Sequence, residues 1–92
     1  MQQIDQVLIP VEKTEPGMFP TERAITVRGN DGKELTLFAD QRLIEERDQQ
    51  SYLRVTRLET DESTGVSVCL LPVDASQGTR WIRVRNAQLQ AA

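Results

Sequence analysis

The chain has 92 residues, with 11 basic and 14 acidic side chains, one cysteine and no histidine. Without histidine there can be no Ser-His-Asp triad, Cys-His pair or histidine-ligated zinc site, and the lone Cys69 cannot form an intramolecular disulfide. The formal net charge of −3 argues against broad non-specific DNA binding, because such binding needs many basic groups to displace counterions from phosphates.

The first apolar run predicts a strand at a sheet edge. Val7, Ile9 and Val11 alternate with other residues, as in a strand with one buried face. Pro10 interrupts this run, and proline lacks the N–H group that a central strand contributes to its ladder. We therefore expect this strand to lie at an edge.

The next segment predicts a β-hairpin. Apolar and polar residues alternate in 24–28 and again in 34–37, so each run has one apolar face. Asn30-Asp31-Gly32 lies between them and supplies residues that tolerate the positive φ angles of tight hairpin turns.

Residues 40–48 predict either a short helix or an ordered loop. Asp40 can cap one or two helical turns, and Leu43 and Ile44 would then face inward. Only one apolar turn is present, so the sequence leaves both alternatives open.

Two further segments complete the predicted sheet. A second hairpin joins 52–59 to 66–73 across the Thr64-Gly65 turn, and a last strand covers 80–86. Most links between the runs are too short for parallel crossovers, so the strands should be antiparallel. We predict an all-β fold with at most one short helix around 40–48, arranged as a small five- or six-stranded antiparallel barrel of SH3-like or OB-like architecture.

The chain is expected to fold as a single domain over residues 1–92. Its length suits one domain. Val, Ile, Leu and Phe account for 24 of its 92 residues, which is above the share of about 20% below which charged chains stay disordered. We expect an ordered β core from about residue 4 to 86 and a short tail at 87–92. Neither a secretory signal nor an apolar stretch of about 20 residues is visible, so we expect a cytoplasmic protein without a membrane partner.

Aromatic and arginine side chains on the predicted outer face are the candidate functional residues. If Ile82 and Val84 face the core, alternation turns the other residues of that strand outward together. These residues are Trp81, Arg83 and Arg85. Tryptophan and arginine are both enriched in binding hot spots. A structural alternative is that Trp81 covers one end of the barrel, with the arginines stacked on its ring.

The same argument turns Tyr52 and Arg54 outward if Leu53 and Val55 face inward. Phe38 also falls on the solvent face of its strand, unless a β-bulge returns it to the core.

The remaining chemistry-bearing residues favour structural roles. The acidic residues at 40–48 and 59–62 lack an apolar frame that would raise a carboxyl pKa, so we interpret them as solvated charges. Cys69 has no cationic sequence neighbour and is expected to be a small buried or half-buried thiol. We therefore predict no catalytic residue, metal or cofactor.

The preferred hypothesis is a non-catalytic interaction module. It would bind a protein or peptide, or a second copy of itself, through Tyr52, Arg54, Trp81, Arg83 and Arg85. The alternative is binding of single-stranded nucleic acid or a nucleotide-containing ligand by the same residues, because aromatic rings stack on bases. Two weaker alternatives remain. The protein could be an enzyme that uses carboxylate and arginine groups, or it could be a structural subunit of a larger assembly.

Overall fold

The computed structural model describes residues 5–92, and it is built from short strands. These are β1 (Asp5–Pro10), β2 (Lys13–Pro16), β3 (Glu22–Arg28), β4 (Glu34–Asp40), β5 (Ile44–Arg47), β6 (Gln50–Asp61), β7 (Val66–Leu70), β8 (Trp81–Arg85) and β9 (Gln90–Ala91). Single 3-10 turns occupy Gln41–Leu43 and Asn86–Gln88. No helix in this range is long and apolar enough to cross a membrane.

Six strands form the larger sheet, in the order β8-β7-β6-β1-β9, with β5 also paired to β6. The 12-residue β6 is long enough to hold two neighbours in succession on one side. Its first residues pair with β5, and its last residues pair with β7. Each of these pairs is antiparallel.

Three strands form the smaller sheet, in the order β2-β3-β4. Ile25 lies opposite Leu37 and Val27 lies opposite Leu35, which is the pairing expected for the first predicted hairpin. Gly32 in the connecting turn has a φ angle of 83°. The sequence prediction of this hairpin is confirmed, as is the all-β, antiparallel class.

The hydrophobic core lies between the two sheets. Ile25 and Leu37 of the smaller sheet and Val7, Leu53 and Val84 of the larger sheet belong to one buried cluster. The two sheets therefore share a core, although neither sheet closes on itself within the described residues.

The segment predicted as a short helix or loop contains only one 3-10 turn. As expected, Asp40 caps this turn, because its carboxylate accepts a 2.9 Å hydrogen bond from the backbone N–H of Arg42. Leu43 and Ile44 are half-buried and pack against the core, which was also predicted. The helix does not continue, because Ile44–Arg47 pairs with β6 as strand β5.

The predicted edge position of the first strand is wrong. Its residues Val7 and Leu8 pair with β9, so β1 lies between β6 and β9. The backbone N–H of Val11 donates to the carbonyl of Ser51 on the β6 side, so alternation directs the nitrogen of Pro10 away from β6. The missing N–H therefore interrupts neither ladder, because the pairing with β9 ends before it.

The two ends of the predicted ordered core have different outcomes. Its start at residue 4 lies outside the described residues. At the other end, Gln90–Ala91 within the predicted 87–92 tail pairs with β1 as strand β9.

Strand β6 contains a β-bulge that the sequence analysis did not predict. Arg57 lies opposite Cys69 and Glu59 lies opposite Val68, so Leu58 has no partner in β7. A bulge places two residues opposite one and shifts the alternation of side chains beyond it. Odd-numbered residues of β6 therefore face the core before the bulge and the outer face after it.

Candidate functional site

Strand β8 presents three of the five predicted site residues on the outer face of the larger sheet. Ile82 and Val84 are buried, while Trp81, Arg83 and Arg85 are exposed, as the alternation predicts. The Trp81 side chain is 56% exposed, which is unusual for the largest apolar ring in the chain. More than half of the Trp81 surface is therefore accessible to a partner.

Three rows of side chains cross this outer face from β6 through β7 to β8. One row contains Glu59, Val68 and Arg83, and a second contains Asp61, Val66 and Arg85. A third row contains Thr56, Leu70 and Trp81. We call these nine residues the β7 face, because the three apolar residues of β7 form its central line. The acidic residues lie on one side of that line, and the arginines lie on the other.

The bulge at Leu58 is what brings the acidic side chains to this face. Without it, Leu58 would lie opposite Val68, and Glu59 would lie opposite the fully buried Ser67. The extra residue turns Glu59 and Asp61 outward instead.

The two arginines of the β7 face are available to an external group, whereas the carboxylate of Asp61 is hydrogen-bonded to the turn that follows it. Within residues 5–92, Arg83 and Arg85 make no salt bridge, whereas Arg57 on the opposite face is paired with Asp5 at 2.5 Å. Asp61 accepts hydrogen bonds from the hydroxyl of Ser63 at 2.6 Å and from its backbone N–H at 3.0 Å. These bonds hold the pKa of Asp61 below its usual value, so this carboxylate is ionised at neutral pH.

Three shallow grooves meet at Arg83. One of about 250 Å³ lies over Val68 and Trp81, and another of about 380 Å³ extends over Val66 and Asp61. The third, of about 280 Å³, separates the β3–β4 turn from β8. There the backbone N–H of Asn30 donates a 2.8 Å hydrogen bond to the carbonyl of Arg83, which fixes the turn against the edge of β8.

The other two predicted site residues are not part of this surface. Tyr52 lies on the face predicted for it, but the prediction that its ring is exposed is wrong, because only 9% of the residue is accessible. Its hydroxyl accepts a 2.7 Å hydrogen bond from the side chain of Gln90 in β9. Arg54 is half-buried and donates a 3.4 Å hydrogen bond to Gln6. It lines a groove with Thr56, Leu70 and Arg80, which borders the third row of the β7 face.

Three further exposed apolar residues were missed or left open by the sequence analysis. Met18 and Phe19 form the tip of the β2–β3 turn and are 81% and 64% exposed. The signal that could have found them is an apolar pair enclosed by Pro16-Gly17 and Pro20, because such turn residues place what lies between them at the surface. Phe38 stays on the solvent face opposite Ala24 in a regular ladder, so no bulge returns it to the core.

The one thiol of the chain is poorly placed for nucleophilic chemistry. Cys69 is fully buried in the core, and this burial raises its pKa to about 11. Because the thiolate is the reactive form, the group is essentially inert near neutral pH. The predicted buried thiol is confirmed.

Comparison of the chain with protein-family models, with curated proteins and with solved structures gave no match.

Proposed function

We propose that the protein is a non-catalytic interaction module that binds a protein surface through the β7 face. The observation that carries this proposal is the exposure of Trp81 beside Arg83, next to the half-buried apolar line of β7. Tryptophan and arginine dominate the energy of protein interfaces, because both make large planar contacts. Tyr52 is left out of the proposed site because it is buried, and Arg54 is left out because it has no partner in the three rows of the β7 face.

The nucleic-acid alternative has less support from the same residues. Stacking of successive bases needs more than one exposed ring along a basic groove. Tyr52 is buried, which leaves Trp81 as the single aromatic ring of the β7 face. Glu59 and Asp61 add two carboxylates across from the arginines, and these would repel phosphates.

The experiment that tests the proposal compares captured proteins among tagged variants of the chain. Wild-type protein should enrich a defined set of partners, and the Trp81→Ala/Arg83→Ala double variant should lose them. Truncation of one hot-spot residue costs about 2 kcal/mol or more of binding free energy, which corresponds to a dissociation constant roughly 30-fold larger. Phe38→Ala is the matched control, because it removes an exposed aromatic ring from the other sheet.

Two results would contradict the proposal. One is an unchanged partner set for the double variant, with circular dichroism showing that it is folded. The other is strong quenching of Trp81 fluorescence by single-stranded oligonucleotides at low salt, which would favour the nucleic-acid alternative.

We also propose that the two sheets are an open form of the small SH3-like or OB-like barrel expected from the sequence. Backbone hydrogen bonds that join a connecting loop of each sheet to a strand of the other sheet support this view. The N–H of Asn30 donates to Arg83, and the N–H of Ser76 donates to the carbonyl of Thr36 at 2.7 Å. Slow amide hydrogen exchange at Asn30 and Ser76 is expected, and exchange at the rate of a free loop would contradict the proposal.

A further inference from the structure

The β7 face has a charge pattern that is complementary to its own rotated image. Its central line is apolar, with Val66, Val68 and Leu70 half-buried. Carboxylates occupy the β6 side and guanidinium groups occupy the β8 side, at the same level along the strands. A partner that matches this pattern needs an apolar line with acid and base in the reverse order across it.

A second copy of the same face provides that reverse order in one orientation. Rotation by 180° about an axis parallel to β7 places the β6 side of one copy over the β8 side of the other. Glu59 then faces Arg83 of the second copy, and Asp61 faces Arg85 of the second copy. Rotation about an axis across the strands would place acid on acid and base on base, so the charges permit only the first arrangement.

We propose that the β7 face binds a second copy of this chain to form a two-fold symmetric dimer, with β7 packed on β7. This inference rests on the proposed function and names the partner of the same site. Two-fold interfaces use the same patch on both subunits, which requires the self-complementarity seen here. Stacked sheets lie about 10 Å apart, a gap that an arginine and a carboxylate side chain extended toward each other can bridge.

The size of the face indicates that the dimer is weak. Three strands about 4.8 Å apart and five residues long, at about 3.3 Å per residue, cover roughly 240 Å² of sheet. A standard interface buries about 800 Å² on each partner. Exposed side chains such as Trp81 enlarge the contact, but it stays below the standard size, so we expect weak association. Measurements should therefore extend to about 500 μM.

Charge reversal at one pair tests both the partner and the orientation. Glu59→Arg creates two arginine–arginine contacts in a dimer, and Arg83→Glu creates two carboxylate–carboxylate contacts. Each variant alone should raise the dimer dissociation constant at least about tenfold, as measured by sedimentation equilibrium. An equimolar mixture of the two variants should restore dimerisation, because each contact then joins opposite charges. The Glu59→Arg/Arg83→Glu double variant should also dimerise with itself.

A matched control uses the same type of charge change on the other sheet. Lys13→Glu lies in β2 of the smaller sheet, away from the β7 face and its grooves, and should leave the dissociation constant unchanged. Circular dichroism on every variant shows whether a lost dimer reflects lost folding. If the mixture of the two variants dimerises, both variants must be folded, because unfolded chains would not form this interface.

Three outcomes would overturn the dimer. They are a wild-type chain that stays monomeric up to about 500 μM, single variants that dimerise like the wild type, and a mixture that stays monomeric. A monomeric wild type whose captured partners still depend on Trp81 would overturn the dimer alone and leave the proposed function standing. A restored mixture supports the dimer whether or not other proteins are captured.

Discussion

The side-chain amide of Gln90 donates a 2.7 Å hydrogen bond to the hydroxyl of Tyr52, which ties the last strand of the chain to β6. Arg47 of β5 donates a 2.9 Å hydrogen bond to the carbonyl of Ala91 and also contacts the side chain of Gln90. The two-residue strand β9 is therefore held by side chains from two other strands, in addition to its pairing with β1.

We expect Tyr52→Phe to lower the free energy of unfolding by about 1 kcal/mol, because it removes this hydrogen bond and keeps the ring. Gln90→Ala should cost a similar amount, and the double variant should cost less than the sum of the two. Urea unfolding followed by Trp81 fluorescence measures all three. Gln88→Ala is the control, since this exposed residue should change little. Strictly additive losses would show that the two side chains do not interact.

The fully buried Ser67 is the second side chain whose hydroxyl stabilises the fold. It donates to the side-chain carbonyl of Asn86 and lies 3.2 Å from the hydroxyl of Thr60. Ser67→Ala should lower the free energy of unfolding by about 1–2 kcal/mol, because Asn86 loses its donor in a partly buried position. Ser76→Ala removes an exposed serine hydroxyl and should cost less than about 0.5 kcal/mol. Equal losses at the two serines would contradict this account.

The turn between β5 and β6 contains backbone strain that a glycine should relieve. Asp48 and Gln49 have φ angles of 50° and 68°, in the region that disfavours residues with a Cβ. The left-handed conformation costs roughly 1–2 kcal/mol, and the greater chain entropy of glycine offsets only part of this. Gln49→Gly should therefore raise the free energy of unfolding by about 0.5–1 kcal/mol.

Gly32→Ala makes the opposite change in the β3–β4 turn, where it replaces a glycine that has a positive φ angle. Its φ angle is 83°, and no atom other than those of its chain neighbours lies within 4 Å of an added Cβ, so any loss of stability reflects backbone conformation. Chemical denaturation should show a loss for Gly32→Ala and a gain for Gln49→Gly. A loss for Gln49→Gly would show that its side chain stabilises the turn.

Because the Cys69 thiol is buried, we expect the free energy of unfolding to fall at alkaline pH. Burial raises the pKa of Cys69 to about 11, above its ordinary value of 9.0. The unfolded chain therefore releases the thiol proton first as the pH rises, and this favours the unfolded state. The contribution of the protonated thiol to the free energy of unfolding is complete below about pH 9 and is lost as the pH approaches about 11. Between pH 9 and pH 11, the free energy of unfolding of the wild type should fall by roughly 2 kcal/mol more than that of Cys69→Ala, as measured by urea unfolding.

The comparison with Cys69→Ala isolates the thiol from other groups that titrate in this range. The thiol of the folded protein should also react slowly with a disulfide reagent at pH 8 and rapidly in urea. Parallel pH profiles for the two proteins would contradict the burial argument.

The sequence predicted those parts of the fold in which local pattern and tertiary structure agree. The β3–β4 hairpin has alternating faces and a glycine where the turn needs a positive φ angle, so its pairing followed from local residues. The outward orientation of Trp81, Arg83 and Arg85 followed from strict alternation in a short strand.

The parts that were not predicted depend on distant residues. Tyr52 has the outward parity expected, but it is buried and accepts a hydrogen bond from Gln90, which lies in a two-residue strand with no local strand signal. The acidic side of the β7 face depends on the bulge at Leu58, and this bulge is defined by the register with β7, which the residues of β6 alone do not give. The edge assignment of β1 failed because Pro10 directs its nitrogen to a side where the neighbouring strand has already ended.

The bulge makes β6 one residue longer than its ladder with β7 requires. Deleting Leu58 would join Arg57 directly to Glu59, and both would keep the partners they already have. The downstream side chains would stay on their present sides, and the chain would lose an exposed leucine. A one-residue insertion after Glu59 would instead place the new side chain opposite the buried Ser67. At this point the strand tolerates shortening better than lengthening, so homologous chains that differ in length here should be shorter by one residue.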